Sequence, residues 1–113
     1  MAIQITIRPA AGTWVVRAGG AVLGESTKAL ELIEADYPSV IYFPRDDIAM
    51  AFLDATGDTT HCPHKGDATT YSIFAKSGEI PSAAWSYETP KPEVAQIKGH
   101  LAFYLDKVAV EQV

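Results

Sequence analysis

Three stretches gather the side chains of this chain best able to do chemistry: Tyr42-Phe43-Pro44-Arg45-Asp46-Asp47, Thr60-His61-Cys62-Pro63-His64-Lys65-Gly66 and Trp85-Ser86-Tyr87-Glu88. Cys62, the single cysteine, is the strongest nucleophile among them. Lys65 and the backbone N–H groups of a loop ending at Gly66 would favour its thiolate, and His61 or His64 could serve as base. Cys62 read instead as a small buried hydrophobe held by Pro63 fits the same residues. Cys62, Lys65 and Asp46 are the catalytic candidates; Tyr42, Arg45, Trp85 and Tyr87 are the candidates for holding a ligand.

Metal binding is a second chemistry for the middle stretch. An extended chain through Pro63 would turn Cys62 and His64 to one side and His61 to the other. Two ligands are too few for zinc, and Asp46, Asp47 or His100 would have to be recruited without a recognised spacing. No metal and no cofactor are therefore expected. Asp46 and Asp47 are adjacent and point apart, so capping a following helix suits them better than acting as an acid–base pair. Arg45 either pairs with Glu88 or one of the aspartates, or offers its planar fork to an anionic ligand. Trp85 and Tyr87 share one face of an extended segment, with Ser86 on the other. Ser86 lacks the flanking glycines of a nucleophile elbow, and the chain has no phosphate-binding glycine loop, dinucleotide fingerprint or H-E-x-x-H motif.

These residues must be positioned by a small scaffold. With 113 residues, 48% of them hydrophobic, the chain has material for one core and is expected to be a single domain, residues 1–113. A net charge of -5 and scattered basic residues argue against nucleic acid as a partner. No apolar run approaches a membrane span, and residues 1–11 lack the features of a secretory leader. The expected compartment is the cytoplasm, consistent with a lone cysteine.

The periodicity is that of short strands. Ile3, Ile5 and Ile7 alternate with polar residues up to Pro9. Residues 14–18 and 21–24 flank Gly19-Gly20 and predict a hairpin. In residues 29–35, Ala29, Leu30, Leu32 and Ile33 fit a helical face while Leu30 and Leu32 also fit one side of a strand, and the nearby Pro38 favours the strand; 40–43 fit a strand closed by Pro44. Residues 46–53 predict a short helix, and 92–97 one helical turn. Further strands are expected at 68–75, 83–88, 100–105 and 108–113, with turns between them. The fold class is therefore mostly β: two packed antiparallel sheets, or a curved, partly open barrel, with one short helix. Each chemical stretch lies at a strand end, where a rigid sheet presents functional groups.

Trp14, residues 40–47, Thr60 with Cys62-Pro63-His64-Lys65-Gly66, residues 84–87 and residues 97–104 resemble, in that order, the blocks of a bacterial family known as domain of unknown function 427. The resemblance spans nearly the whole chain and implies a small β-rich, tent-like fold of two perpendicular sheets, here without zinc knuckles. It implies no reaction, and the nucleotidyltransferase label sometimes given to the family finds no metal-carboxylate triad here. The family's blocks fall on Tyr42, Pro44, Arg45, Asp46, Cys62, Pro63, Lys65, Gly66, Trp85, Tyr87, Gly99, Phe103 and Tyr104, and the chain departs from them at His64, where the family more often has an aromatic. Together these features predict a pocket for a small anionic ligand held by Arg45 and Lys65, with aromatic walls and Cys62 as nucleophile or wall. The alternative is a protein-interaction or structural β module, with homo-oligomerisation through a sheet edge.

Overall fold

The computed structural model describes residues 4–113, so Ile3 lies outside the described residues. The chain is mostly β. Its strands are β1 (Ile5–Pro9), β2 (Trp14–Ala18), β3 (Ala21–Ser26), β4 (Leu30–Glu34), β5 (Val40–Tyr42), β6 (Leu53–Cys62), β7 (Gly66–Ala75), β8 (Gly78–Ser86), β9 (Ala102–Phe103) and β10 (Ala109–Gln112). They form three open antiparallel sheets rather than two, ordered β1-β4-β5, β10-β2-β3 and β6-β7-β8-β9. A two-way bridge stitches the first sheet to the third: Phe43 N donates to Leu101 O and Leu101 N to Phe43 O, both at 2.8 Å. The sheets do not close into a barrel among the described residues.

Local sequence explains the pieces. Gly19 and Gly20, at φ +56° and +80°, close the β2–β3 hairpin in the left-handed region where a side chain would be strained. Pro9 occupies the end of β1, an edge strand, where the missing N–H costs no ladder bond. A register shift between Tyr71 and Ile73 marks a bulge in the β7–β8 pair, and Ser72 Oγ accepts the Ser82 N–H there at 3.1 Å.

Residues 46–53, expected as a short helix, form instead two separate 3-10 turns, Arg45–Asp47 and Met50–Phe52, with Leu53 already in β6. Extended backbone at Ile48 breaks the helical run, because Ile48 is buried and bridges back to Gly24 of β3. The aspartates do not cap. The first turn has no side-chain cap; Asp46 is exposed, and Asp47 Oδ2 accepts the Ser26 hydroxyl at 2.6 Å. Residues 92–97 do form a 3-10 segment, Pro92–Ile97. The region 100–105 keeps only two residues of strand, and β6, ten residues long, has no counterpart in the hydrophobic pattern.

Two cores result. One packs Val16, Leu23, Phe43, Ile73, Leu101 and Phe103 between the second and third sheets, with Phe43 and Phe103 edge to face at 5.9 Å. Burying a side chain the size of Phe43 stabilises by roughly 2–3 kcal/mol. The other packs Leu32, Tyr42, Ala68, Tyr87, Val94 and Ile97 beneath the first sheet. β8 divides them: Ala84 belongs to the first core, while Trp85 packs against the second.

Candidate functional site

Beside the second core lies a cavity of about 620 Å³, to which all three sheets contribute: Leu32, Glu34 and Tyr42 from the first, Trp14 and Val110 from the second, Thr60, Trp85 and Phe103 from the third. That volume is within the range of small-molecule sites. Seven aromatic residues line it: Trp14, Tyr37, Tyr42, Trp85, Tyr87, Phe103 and Tyr104. Trp85 is the hub, with the Tyr42 ring 6.3 Å away at 89° and the Tyr104 ring 4.6 Å away at 45°.

The polar end of the cavity is built by the β6–β7 turn. Lys65 N donates to Cys62 O at 3.2 Å, and Lys91 N donates to Lys65 O at 2.9 Å, which pins the turn to the segment after β8. Gly66 follows at φ +109°, a backbone conformation that a side chain would strain, beside the backbone of Thr89, Pro90 and Lys91. Lys65 is thereby directed inward, and its Nζ donates to Glu34 Oε1 at 2.6 Å, with the two side chains only 11% and 14% exposed. Burial alone would lower the Lys65 pKa, but the hydrogen bond to Glu34 and neighbouring negative potential outweigh it and raise it.

The tyrosines behave consistently with this. Burial pushes the Tyr42 phenol well above its ordinary value, against a weaker opposing effect from Trp85 Nε1, which donates to Tyr42 Oη at 3.4 Å. Burial likewise raises Tyr87, partly offset by the Lys65 charge. Tyr87 Oη has no hydrogen-bond partner among the described residues and opens on the cavity. At the rim, the Arg8 hydrogen bond holds the Glu31 carboxyl below its usual value. Every shifted group lining the cavity moves away from neutrality, so none of these is set for proton transfer near pH 7.

The remaining sequence candidates lie elsewhere. Arg45 is on the other side of β8, where Nε donates to Gly99 O at 3.0 Å and Nη2 to Glu88 Oε2 at 2.7 Å. Fully buried Ser86 donates to the same Glu88 oxygen at 2.8 Å, and Tyr71 Oη donates to Glu88 Oε1 at 2.9 Å. Burial would raise Glu88, but these hydroxyls and the Arg45 charge outweigh it and hold the carboxyl low. Ser86 is thus a donor locked in a network. Trp85 and Tyr87 do share the opposite face, as expected. Cys62 is partly buried, packed against the second core, and is not a lining residue; Asp46 is exposed and does not line the cavity either. His61 lies 2.7 Å from Asp67 on an exposed cross-strand pair, and no three His, Cys, Asp or Glu side chains group for a metal among the described residues.

So Tyr42, Lys65, Trp85 and Tyr87 come together around the cavity, Cys62 packs against the same core without lining the cavity, and Arg45 and Asp46 are not among the lining residues. Glu34 was missed, although one signal existed: it continues the inward parity of Leu30 and Leu32 on β4, a carboxylate on a buried face that needs a cation. Tyr37 and Leu105 carried no such signal, being exposed loop residues that happen to wall the opening.

Fold and site together define a small antiparallel β protein with an aromatic-lined cavity where three sheets meet. Over residues 6–113 the chain matches the model of a family described as a domain of unknown function (DUF427), and it belongs to that family. No curated protein matches the chain. No helix among the described residues is long and apolar enough to cross a membrane.

Proposed function

We propose that this chain binds a small, ring-bearing molecule non-covalently in the cavity between its three sheets. The observation that carries the proposal is the nearly buried Lys65–Glu34 pair set into an otherwise aromatic cavity of about 620 Å³. A buried ion pair adds little net stability over apolar residues of the same shape, so its placement here is better explained by what it does for a ligand. The two cations suggested for an anion are both engaged, Lys65 by Glu34 and Arg45 by Glu88. Covalent chemistry has weak support in the geometry, since Cys62 is not among the cavity's lining residues and His61 is engaged outside it.

A fragment screen by ligand-observed NMR, with tryptophan fluorescence as second readout, tests this. Hits are expected to lose at least about tenfold in affinity in Trp85→Ala, and several-fold in Tyr87→Phe, a change that preserves the fold. Arg45→Ala and Cys62→Ser should leave them bound. Hits indifferent to Trp85 and Tyr87 but lost in Arg45→Ala would overturn the proposal.

A further inference from the structure

The polar end of the cavity keeps hydrogen-bonding capacity that the protein itself does not use. Lys65 Nζ spends one N–H on Glu34 Oε1 at 2.6 Å and has no other partner among the described residues. Glu34 Oε2 and Tyr87 Oη have no partner there either. Since no fully buried side-chain nitrogen or oxygen is left unpaired among the described residues, both oxygens border open space. Both residues line the cavity with Lys65, and Tyr87 is only 6% and Lys65 9% exposed. A donor and an acceptor thus stand side by side, held by the β6–β7 turn and by β4, with a hydroxyl that can act as either.

The charges on the lining are matched. Lys65 pairs with Glu34, and Glu31, at the rim, pairs with Arg8 at 2.9 Å. A ligand with a net charge would give up its hydration on entering and find no free counter-charge: an anion meets Glu34 beside the lysine, and a cation meets Lys65 beside the glutamate. A neutral group with an acceptor alone answers Lys65 and leaves Glu34 Oε2 unpaired in a dry place; one with a donor alone leaves the ammonium unanswered. An amide answers both, because its carbonyl oxygen and its N–H lie next to each other in one plane and it carries no charge.

Resting on the ligand site proposed above, we infer that the ligand of this cavity is a neutral aromatic carboxamide or lactam, whose carbonyl accepts from Lys65 Nζ and whose N–H donates to Glu34 Oε2 while its ring lies along the aromatic wall. The Lys65 charge already acts on the Tyr87 phenol, so that hydroxyl belongs to the same polar end and adds a further contact there.

Four probes sharing one tolyl ring test this: 4-methylbenzamide, its isosteric ketone 4-methylacetophenone, 4-methylbenzoate and 4-methylbenzylammonium. Each is titrated into the full chain by NMR, the chemical shifts giving both the affinity and the place of binding. The amide is expected to bind about tenfold more tightly than the ketone, which leaves Glu34 Oε2 unpaired, and at least about tenfold more tightly than either ion. Lys65→Met with Glu34→Leu should remove the amide's advantage over the ketone. If the ketone binds the natural chain as tightly as the amide, if either ion binds best, or if the double variant keeps the amide's advantage, the amide inference is overturned while the ligand site stands. If none of the four enters the cavity, the amide inference falls, and the ligand site falls with it only where the fragment screen also finds nothing there.

Discussion

Two ion pairs of nearly equal length are placed in opposite circumstances on the two sides of β8. Arg45–Glu88 at 2.7 Å is more than a third exposed, and its carboxylate also accepts Ser86 and Tyr71 while the guanidinium also reaches Gly99 O. Lys65–Glu34 at 2.6 Å is almost dry and stands nearly alone in an aromatic cavity. The first is a tie: it joins the turn after β5, the bulged strand β7, the end of β8 and the segment before β9, and almost every polar atom in it is used. The second joins the β6–β7 turn to β4 and leaves lysine donors and a neighbouring tyrosine hydroxyl available. Hydrogen bonds saturated on protein mark a structural device; polarity kept in a dry place with capacity to spare marks a site.

The sharpest way to break that contrast is to replace each pair with apolar residues. Glu34→Ala leaves the Lys65 ammonium buried without its partner and is expected to cost about 3 kcal/mol, read from urea midpoints. The double change Lys65→Met with Glu34→Leu should bring stability back to within about 1 kcal/mol of the natural chain, because an apolar pair fills the space without desolvated charge. A double variant as unstable as the single one would place this pair among the structural ties. On the other side the expected effect is smaller and is not rescued. Arg45→Ala or Glu88→Ala should each cost about 1.5 kcal/mol, the solvent around the pair limiting its worth. Arg45→Met with Glu88→Leu should remain destabilised, since buried Ser86 and the Gly99 carbonyl then lose their partners. Full recovery there would erase the distinction.

The same contrast explains what could be read in advance. Side-chain alternation and turn glycines made β1 and the β2–β3 hairpin visible, and the parity of Trp85, Ser86 and Tyr87 assigned them to opposite faces of β8. A charge pairing between Arg45 and Glu88 was one of the options that charge alone allowed. β6 was illegible because it is an edge strand exposed on both faces for most of its length, with Thr, Asp and Gly in place of an apolar stripe. The helix expected over residues 46–53 had the right composition, but Ile48 gains more from burial against β3 than from continuing a turn. The cavity was half legible. Tyr42, Lys65, Trp85 and Tyr87 were in hand, yet nothing local distinguishes a lysine facing inward to Glu34 from an arginine held on the far side of β8. That sorting is made by sheet order, which short-range periodicity does not encode.

The smallest expected effect, and the one that reads both regions at once, is the dependence of stability on pH. Glu88 is held below its ordinary value of 4.5 in the folded chain, so its contribution is fully present above that value and is lost as pH falls through the folded one. Glu31, also lowered, acts in the same direction. Lys65, Tyr42 and Tyr87 are raised, so their contribution is fully present below their ordinary values of 10.5 and 10.0 and is lost as pH climbs past them; Tyr71 in the Glu88 network adds to this limb. Urea midpoints should therefore fall between about pH 5 and pH 3 and fall again above about pH 10. Glu88→Ala should make the acid limb shallower, down to the share of Glu31, and, apart from the Tyr71 share, leave the alkaline one; Lys65→Met with Glu34→Leu should remove only the lysine's share of the alkaline limb, since burial still raises Tyr42 and Tyr87, and leave the acid one. If each variant flattened the other's limb, or neither changed its slope, the two sides of β8 would not be the separate electrostatic units that their geometry describes.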